Sequence, residues 1–168
     1  MPIIAKHPES SLAPCPEGLH QAVCVDVVDL GIQQTPWGDK HQVRLMWQVE
    51  EDNPDTGKRF QIRQKYSLSL HEKANLRKHL EAWRGRKFTD TELQGFDLEK
   101  LIGANCQVQV AHDIGDDATI YANLQAVVPP QKNVAKLVPR EYVREKDRAK
   151  VQGNGSKVGK KTDDDVPF

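Results

Sequence analysis

The sequence predicts a mainly β fold in which five strands carry a helical insertion between the third strand and the fourth. Three observations support this prediction. Apolar and polar residues alternate over five segments, which is the period of strands that bury one face. Two helix-start signals lie between the third and fourth of these segments. This order, within residues 17–129, matches the five-stranded OB barrel, and an open α+β sheet with the same strand count is the alternative.

The first three strands are predicted where the alternation is clearest. In the first, over 20–30, Val23, Val25 and Val27 are expected to share one face. A loop with Gly and Pro at 31–40 precedes the second strand, whose apolar face is formed by Val43, Leu45, Trp47 and Val49. Turn residues at 52–57 predict a hairpin. The third strand has its own apolar face, formed by Phe60, Ile62, Tyr66 and Leu68.

Two capping boxes predict the helical insertion, one at Ser69 with Glu72 and one at Thr89 with Glu92. The first is expected to start a helix that ends near Gly85 and has Leu76, Leu80 and Trp83 on its apolar face. We assign Trp47, Phe60, Tyr66 and Trp83 to the core. A helical turn at 97–102 is followed by the fourth strand around 106–110 and by the fifth at 120–128.

Composition divides the chain into four predicted parts: a flexible N-terminal arm (1–16), the folded domain (17–129), a flexible basic linker (130–162) and an acidic tip (163–168). The linker holds ten Lys or Arg residues against three acidic ones. After residue 130 apolar residues become sparse, and such a segment buries too little apolar surface to offset its chain entropy.

The overall charge excludes a uniformly basic nucleic-acid binder, because 24 Lys and Arg residues balance 24 acidic residues. A patterned binder remains, since ten cations lie between Lys58 and Lys87 against only two acidic residues. No apolar run is long enough to span a membrane, and the N-terminus does not resemble a secretory signal. The three cysteines have no CxxC spacing, so we expect a reducing cytoplasm and no cysteine zinc site.

Catalytic motifs are poorly represented, so we predict a protein that is not an enzyme and has no cofactor and no metal. His71-Glu72 begins like HExxH, but Asn75 stands where the second histidine should be. His71 and His79 are too far apart to share one metal easily. Asp113, Asp116 and Asp117 belong to a hairpin loop in which acidic residues are usual. The sequence has no Gly-rich phosphate loop and no GxSxG motif.

A nucleic-acid surface is the stronger hypothesis. An OB barrel binds oligonucleotides on strands two and three and on adjacent loops, and single strands need cations and aromatic rings on which bases stack. The candidate DNA-binding residues are Trp37, Lys40, Arg44, Arg59, Arg63, Lys65, Lys73, Arg77, Arg84, Arg86, Lys87 and Tyr121. The charges could instead form an ordinary solvated surface. Trp37 could instead plug the mouth of the barrel.

The terminal hexapeptide is the most specific feature of the chain. It consists of Asp163, Asp164, Asp165, Val166, Pro167 and Phe168. This tip resembles the end of bacterial single-stranded DNA-binding proteins, in which an acidic run precedes Ile-Pro-Phe. The folded domain, including the stretches WRGRKFTDTEL and FDLEKLIGANCQVQV, is similar to that of phage- or prophage-encoded members.

The resemblance implies a protein that coats single-stranded DNA in replication, recombination or repair without strong sequence preference, in the cytoplasm of a bacterial host. It implies that the tip recruits host or phage replication and repair enzymes. A homo-oligomer is compatible with the sequence, but the bacterial tetramer interface cannot be carried over, because the bacterial N-terminal strand pattern is missing. The alternative function is an adaptor whose barrel binds protein or RNA and whose tip docks a host enzyme.

Overall fold

The computed structural model describes residues 13–116 and 118–148, and they form one five-stranded antiparallel sheet with few helices. Its strands are β1 (Gly18–Thr35), β2 (Gly38–Asp52), β3 (Arg59–Ser67), β4 (Asn105–Ile114) and β5 (Ile120–Val128). Neighbouring strands follow the order β3-β2-β1-β4-β5. The mainly β prediction with five strands is therefore confirmed. The sheet is open, with β3 and β5 at its two edges. Some Cα atoms of these two edge strands nevertheless lie within 8 Å of each other.

The helical elements lie between β3 and β4, as predicted: α1 (Asn75–Arg84), α2 (Asp90–Gln94) and a 3-10 turn (Leu98–Leu101). The second capping box is confirmed, because Thr89 and Glu92 bond each other's backbone N–H groups. The first is wrong, since α1 begins after Ala74 without a side-chain cap. Ser69 and His71 each accept a hydrogen bond from the N–H two residues ahead, which holds 69–73 in a turn instead of a helix.

The inner face of the sheet forms the main core together with α1. Trp47, Phe60, Tyr66 and Trp83 are all found there, which confirms their assignment to the core. Leu68, expected on the apolar face of the third strand, lies beyond the end of β3 and is 43% exposed. Trp83 packs its ring 6.0 Å from that of Trp47 and donates a hydrogen bond of 2.8 Å to the carbonyl of Asn105. This contact ties α1 to the first residue of β4.

A β-bulge in β1 corrects one prediction about its faces. The register with β2 shifts between Cys24 and Asp26, so one extra residue is inserted. Val23 and Val25 therefore join Met46 in a small cluster on the outer face, whereas Val27 packs against the main core. The bulge also places Asp26, 1% exposed, on that outer face.

Segments on both sides of the predicted domain lie against it. Ala13 donates a hydrogen bond to Asp55, and Cys15 is buried in the main core. Leu137 and Tyr142 cover the outer cluster, although both belong to the predicted linker. The fourfold division of the chain stays a prediction, because most of the arm (1–12), part of the linker (149–162) and the whole tip (163–168) lie outside the described residues.

None of the helices in the described ranges combines the length and the apolar character needed to cross a membrane.

Candidate nucleic-acid interface

Trp37 lies at the turn of the β1–β2 hairpin and is 84% exposed. The Thr35 hydroxyl shapes this turn by donating to the carbonyl of Gly38 at 2.6 Å and accepting from the N–H of Trp37 at 3.2 Å. A groove of about 310 Å³ lies beside the ring, lined by residues that include Thr35, Lys40, Gln42 and Ser67. This exposure argues against a plug in the barrel mouth and leaves the indole open to a stacking base.

Arg63 and Lys65 are exposed on the outer face of β3, because the residues that alternate with them point into the core. In the ladder with β2, Ser67 lies opposite Gln42 and Lys65 lies opposite Arg44. Ser67 and Gln42 both line the groove beside Trp37. One row of side chains therefore runs from the hairpin turn along β3. We call its four prominent members, Trp37, Lys40, Lys65 and Arg63, the outer stripe.

Arg44 and Arg59 lie on the same outer face but already have protein partners. Arg44 forms an ion pair with Glu145. Arg59 donates to the carbonyl of Val138 at 2.6 Å. Both predicted DNA contacts are thus occupied by residues C-terminal to the sheet.

Arg84 does not lie on a surface, which corrects its assignment as a DNA contact. Its side chain is 1% exposed and donates to Glu92 at 2.7 Å, and its guanidinium lies 4.7 Å from the centre of the Phe88 ring. Hydrogen bonds from the Thr89 N–H and from Arg84 lower the pKa of Glu92 to about 2, so this pair remains charged at neutral pH. The arginine was misassigned because a charge count does not show which cations meet a buried acidic partner.

The other cations of the helical insertion form a different surface. Lys73, Arg86 and Lys87 are exposed, and Arg77 pairs with Glu81 on the same helix. Since α1 packs against the inner face of the sheet, these charges are not joined to the outer stripe.

Tyr121 is 50% exposed near the turn of the β4–β5 hairpin, where Ile114 and Ile120 are exposed too. The register of β1 with β4 pairs Gly18 with Val110, so this turn lies at the opposite end of the sheet from Trp37. Tyr121 is therefore a separate candidate contact rather than a neighbour of the outer stripe.

The buried charged residue that sequence reasoning missed is Asp26, which is 1% exposed. Burial by itself raises the pKa of this carboxyl, but hydrogen bonds from the Glu145 N–H, the Tyr142 hydroxyl and Arg144 outweigh burial and hold the pKa below its ordinary value. The signal was present in the sequence, because a lone aspartate inside the run Val23–Val28 requires a partner.

Sites for other chemistry are sparse in residues 13–116 and 118–148, where no three His, Cys, Asp or Glu side chains lie together as metal ligands would. Burial raises the pKa of Cys15 to about 11 and that of Cys24 to about 12, so both thiols stay protonated at neutral pH and are weak nucleophiles. The chain matches no protein-family model and no curated protein. Its function must therefore be inferred from its own residues and their geometry.

Proposed function

We propose that this chain is a non-catalytic single-stranded DNA-binding protein built on an OB-type barrel. The strand order β3-β2-β1-β4-β5 supports this fold, because an OB barrel has this order with its two edge strands brought together, and such barrels are often partly open. The protein coats transient single strands in replication or recombination and recruits partner enzymes through residues 163–168.

The observation that carries the proposal is the outer stripe. It combines an exposed indole with three cations on the β2–β3 face and the β1–β2 loop, which are the parts of an OB barrel that bind oligonucleotides. Cations attract the phosphates and the indole offers a face on which any base stacks, so binding of this kind tolerates all sequences. Single-stranded RNA has the same two features, and a comparison of dT with rU oligomers distinguishes the two substrates.

Recruitment of enzymes rests on the acidic tip, which lies outside the described residues. In this proposal the Phe168 ring fills a pocket of the partner, and the three aspartates meet its Lys and Arg side chains. Pro167 reduces the chain entropy that docking removes.

An adaptor that binds protein through its barrel is the second candidate. Exposed isoleucines favour it, because Ile114 is 71% exposed at the β4–β5 turn and Ile32 is exposed on the β1–β2 hairpin. Such residues contribute to protein contacts more readily than to phosphate contacts. An adaptor would not change its tryptophan fluorescence when oligo-dT is added.

We expect oligo-dT to quench the fluorescence of Trp37 and Trp37→Ala to weaken binding by about 1–3 kcal/mol, which is the contribution of one stacked base. Trp47 and Trp83 are buried, so a change on binding reports mainly Trp37. The measurement is a fluorescence titration of the wild type, with anisotropy of a labelled oligomer for the variant.

The matched control for Trp37 is Ile32→Ala, which truncates another exposed apolar side chain on the same hairpin. It should leave affinity nearly unchanged, because an aliphatic side chain offers no aromatic face. Equal losses in the two variants would contradict stacking, and normal binding by Trp37→Ala would remove this residue from the site.

Charge reversal at Arg63 or Lys65 should weaken binding to all sequences alike and reduce the dependence of affinity on salt. For single strands the slope of log K against log salt is about −0.7 per phosphate neutralised, so each lost contact should lower its magnitude by about that amount. Lys78→Glu, on an exposed position of α1, is the control. An affinity that does not depend on salt would contradict phosphate binding by these cations. A larger effect in the control would place the groove elsewhere.

A further inference from the structure

Residues 135–145, which we call the strap, cross the outer face of β1 and β2. Side-chain amides hold its backbone at two points. Asn105 donates to the carbonyl of Leu137 at 2.9 Å and accepts from its N–H at 2.7 Å. Gln48 makes the same pair of bonds with Arg140, at 2.8 and 2.9 Å. Contacts of this kind recognise an extended peptide backbone rather than particular side chains.

Asp26 anchors the C-terminal end of the strap. Its carboxylate accepts hydrogen bonds from the Tyr142 hydroxyl at 2.7 Å, from Arg144 Nε at 3.1 Å and from the Glu145 N–H at 2.9 Å. Arg144 also pairs with Glu99 at 2.6 Å. The outer face therefore carries a built site for this segment, made of one buried carboxylate and two amide side chains.

The strap overlaps the candidate DNA site. Glu145 pairs with Arg44, which lies opposite Lys65 of the outer stripe, and the carbonyl of Val138 accepts from Arg59. The Glu145 carboxylate thus binds the Arg44 guanidinium, which a DNA phosphate bound next to Lys65 would also reach. The carboxylate and the phosphate cannot bind the same edge of the guanidinium at once, so binding of one to Arg44 disfavours binding of the other.

We propose that the outer face of β1 and β2 is a peptide-binding site whose occupant is the strap, and that single-stranded DNA displaces the strap when it extends from the outer stripe onto Arg44 and Arg59. This inference rests on the proposed DNA-binding function. The apparent affinity for longer strands is then reduced in proportion to the fraction of molecules from which the strap is undocked. The uncovered Asp26 carboxylate repels phosphate, which keeps the gain modest and favours redocking after DNA leaves.

Amide hydrogen exchange of the full chain tests displacement directly. The N–H groups of Leu137, Arg140 and Glu145 bond the sheet only while the strap is docked. Saturation with oligo-dT should speed their exchange while the amides of β1 and β2 stay protected. Unchanged or slower exchange, with Trp37 quenched by the same oligomer, would overturn the strap proposal alone. If the oligomer neither binds nor quenches, both proposals fail.

Two variants should loosen the strap and tighten DNA binding. Glu145→Gln removes the ion pair with Arg44 and should raise oligo-dT affinity about two- to fivefold, as expected for a partly exposed pair. Tyr142→Phe removes one donor to Asp26 without changing any charge, and it should raise affinity in the same direction.

The control is Glu141→Gln, which removes the same charge from an exposed position of the strap. It should change affinity by less than half as much as Glu145→Gln. Equal gains from the two glutamines would show a general charge effect and overturn the proposal, and so would weaker binding by Tyr142→Phe.

Discussion

Trp83→Ala is expected to lower the free energy of unfolding by about 3–5 kcal/mol, the cost of truncating a large buried aromatic side chain. Trp83 is 2% exposed and packs on Trp47 in the main core. Its indole N–H also bonds the carbonyl of Asn105, so truncation leaves both a cavity and a backbone acceptor without this donor. Because the residue joins α1 to β4, the loss acts on the whole domain rather than on one loop.

Chemical denaturation of three variants separates the contributions to this effect. Trp37→Ala makes the same substitution at an exposed position and should leave stability nearly unchanged. Trp83→Phe keeps much of the packing but loses the hydrogen bond, and we expect an intermediate loss. A Trp83→Ala protein as stable as the wild type would mean that α1 does not pack on the inner face as described.

Asp26→Asn is expected to cost about 3 kcal/mol of stability, the low end of the range for removing one partner of a buried ion pair. The carbonyl oxygen of the asparagine can still accept a hydrogen bond, but its NH2 group is a donor and faces the donors of Arg144. The loss stays at the low end because Arg144 keeps its bonds to Glu99. Leu137 and Tyr142 then cover the outer cluster less tightly, so the strap and the cluster weaken together.

The same substitution should change how stability depends on pH. Burial opposes ionisation of Asp26, but the donors from the strap outweigh burial and lower its pKa below the unfolded value of about 3.9. A carboxyl whose pKa is lower in the folded state stabilises that state at pH values above its pKa in the unfolded state. This contribution is lost as the pH falls through its pKa in the folded state. The difference in stability between wild type and Asp26→Asn should therefore shrink below about pH 4.

Denaturation at several pH values measures this difference directly. Other carboxyls with lowered pKa, such as Asp29 and Glu92, are present in both proteins and cancel in the comparison. A difference that stays constant down to pH 2 would show that the Asp26 charge does not hold the strap.

Much of the fold could be predicted from periodicity. Alternating residues such as Val43, Leu45 and Trp47 have one apolar side, and a strand with one apolar side is stable only where that side is buried. The helical insertion was predictable for a similar reason, because Leu76, Leu80 and Trp83 recur at helical spacing. The capping signal at Ser69 was misleading, since the same side chain also stabilises a turn.

The candidate site was predicted less completely. Trp37 was singled out as a large apolar residue among Gly and Pro, and its exposure agrees with a stacking role. Arg63 and Arg84 are equivalent in a count of charges, yet one is exposed on β3 and the other lies beneath Phe88 with Glu92. A cation's neighbours come from distant parts of the chain, so composition does not separate these two cases.

What the sequence by itself determined is the set of strands, the buried faces of β2 and β3 and the acidic end of the chain, because these depend on local spacing and composition. Only the tertiary structure decided that residues 135–145 pack on the sheet. Five of the eleven strap residues are apolar, but the prediction of a flexible linker averaged them with the stretch rich in Gly, Ser and Lys that follows. It docks through Asn105, Gln48 and Asp26, which lie 32 to 119 residues away from their partners and satisfy backbone and charged groups. Leu137 and Tyr142 cover the outer cluster at the same time, and no local pattern in the sequence pairs them with it.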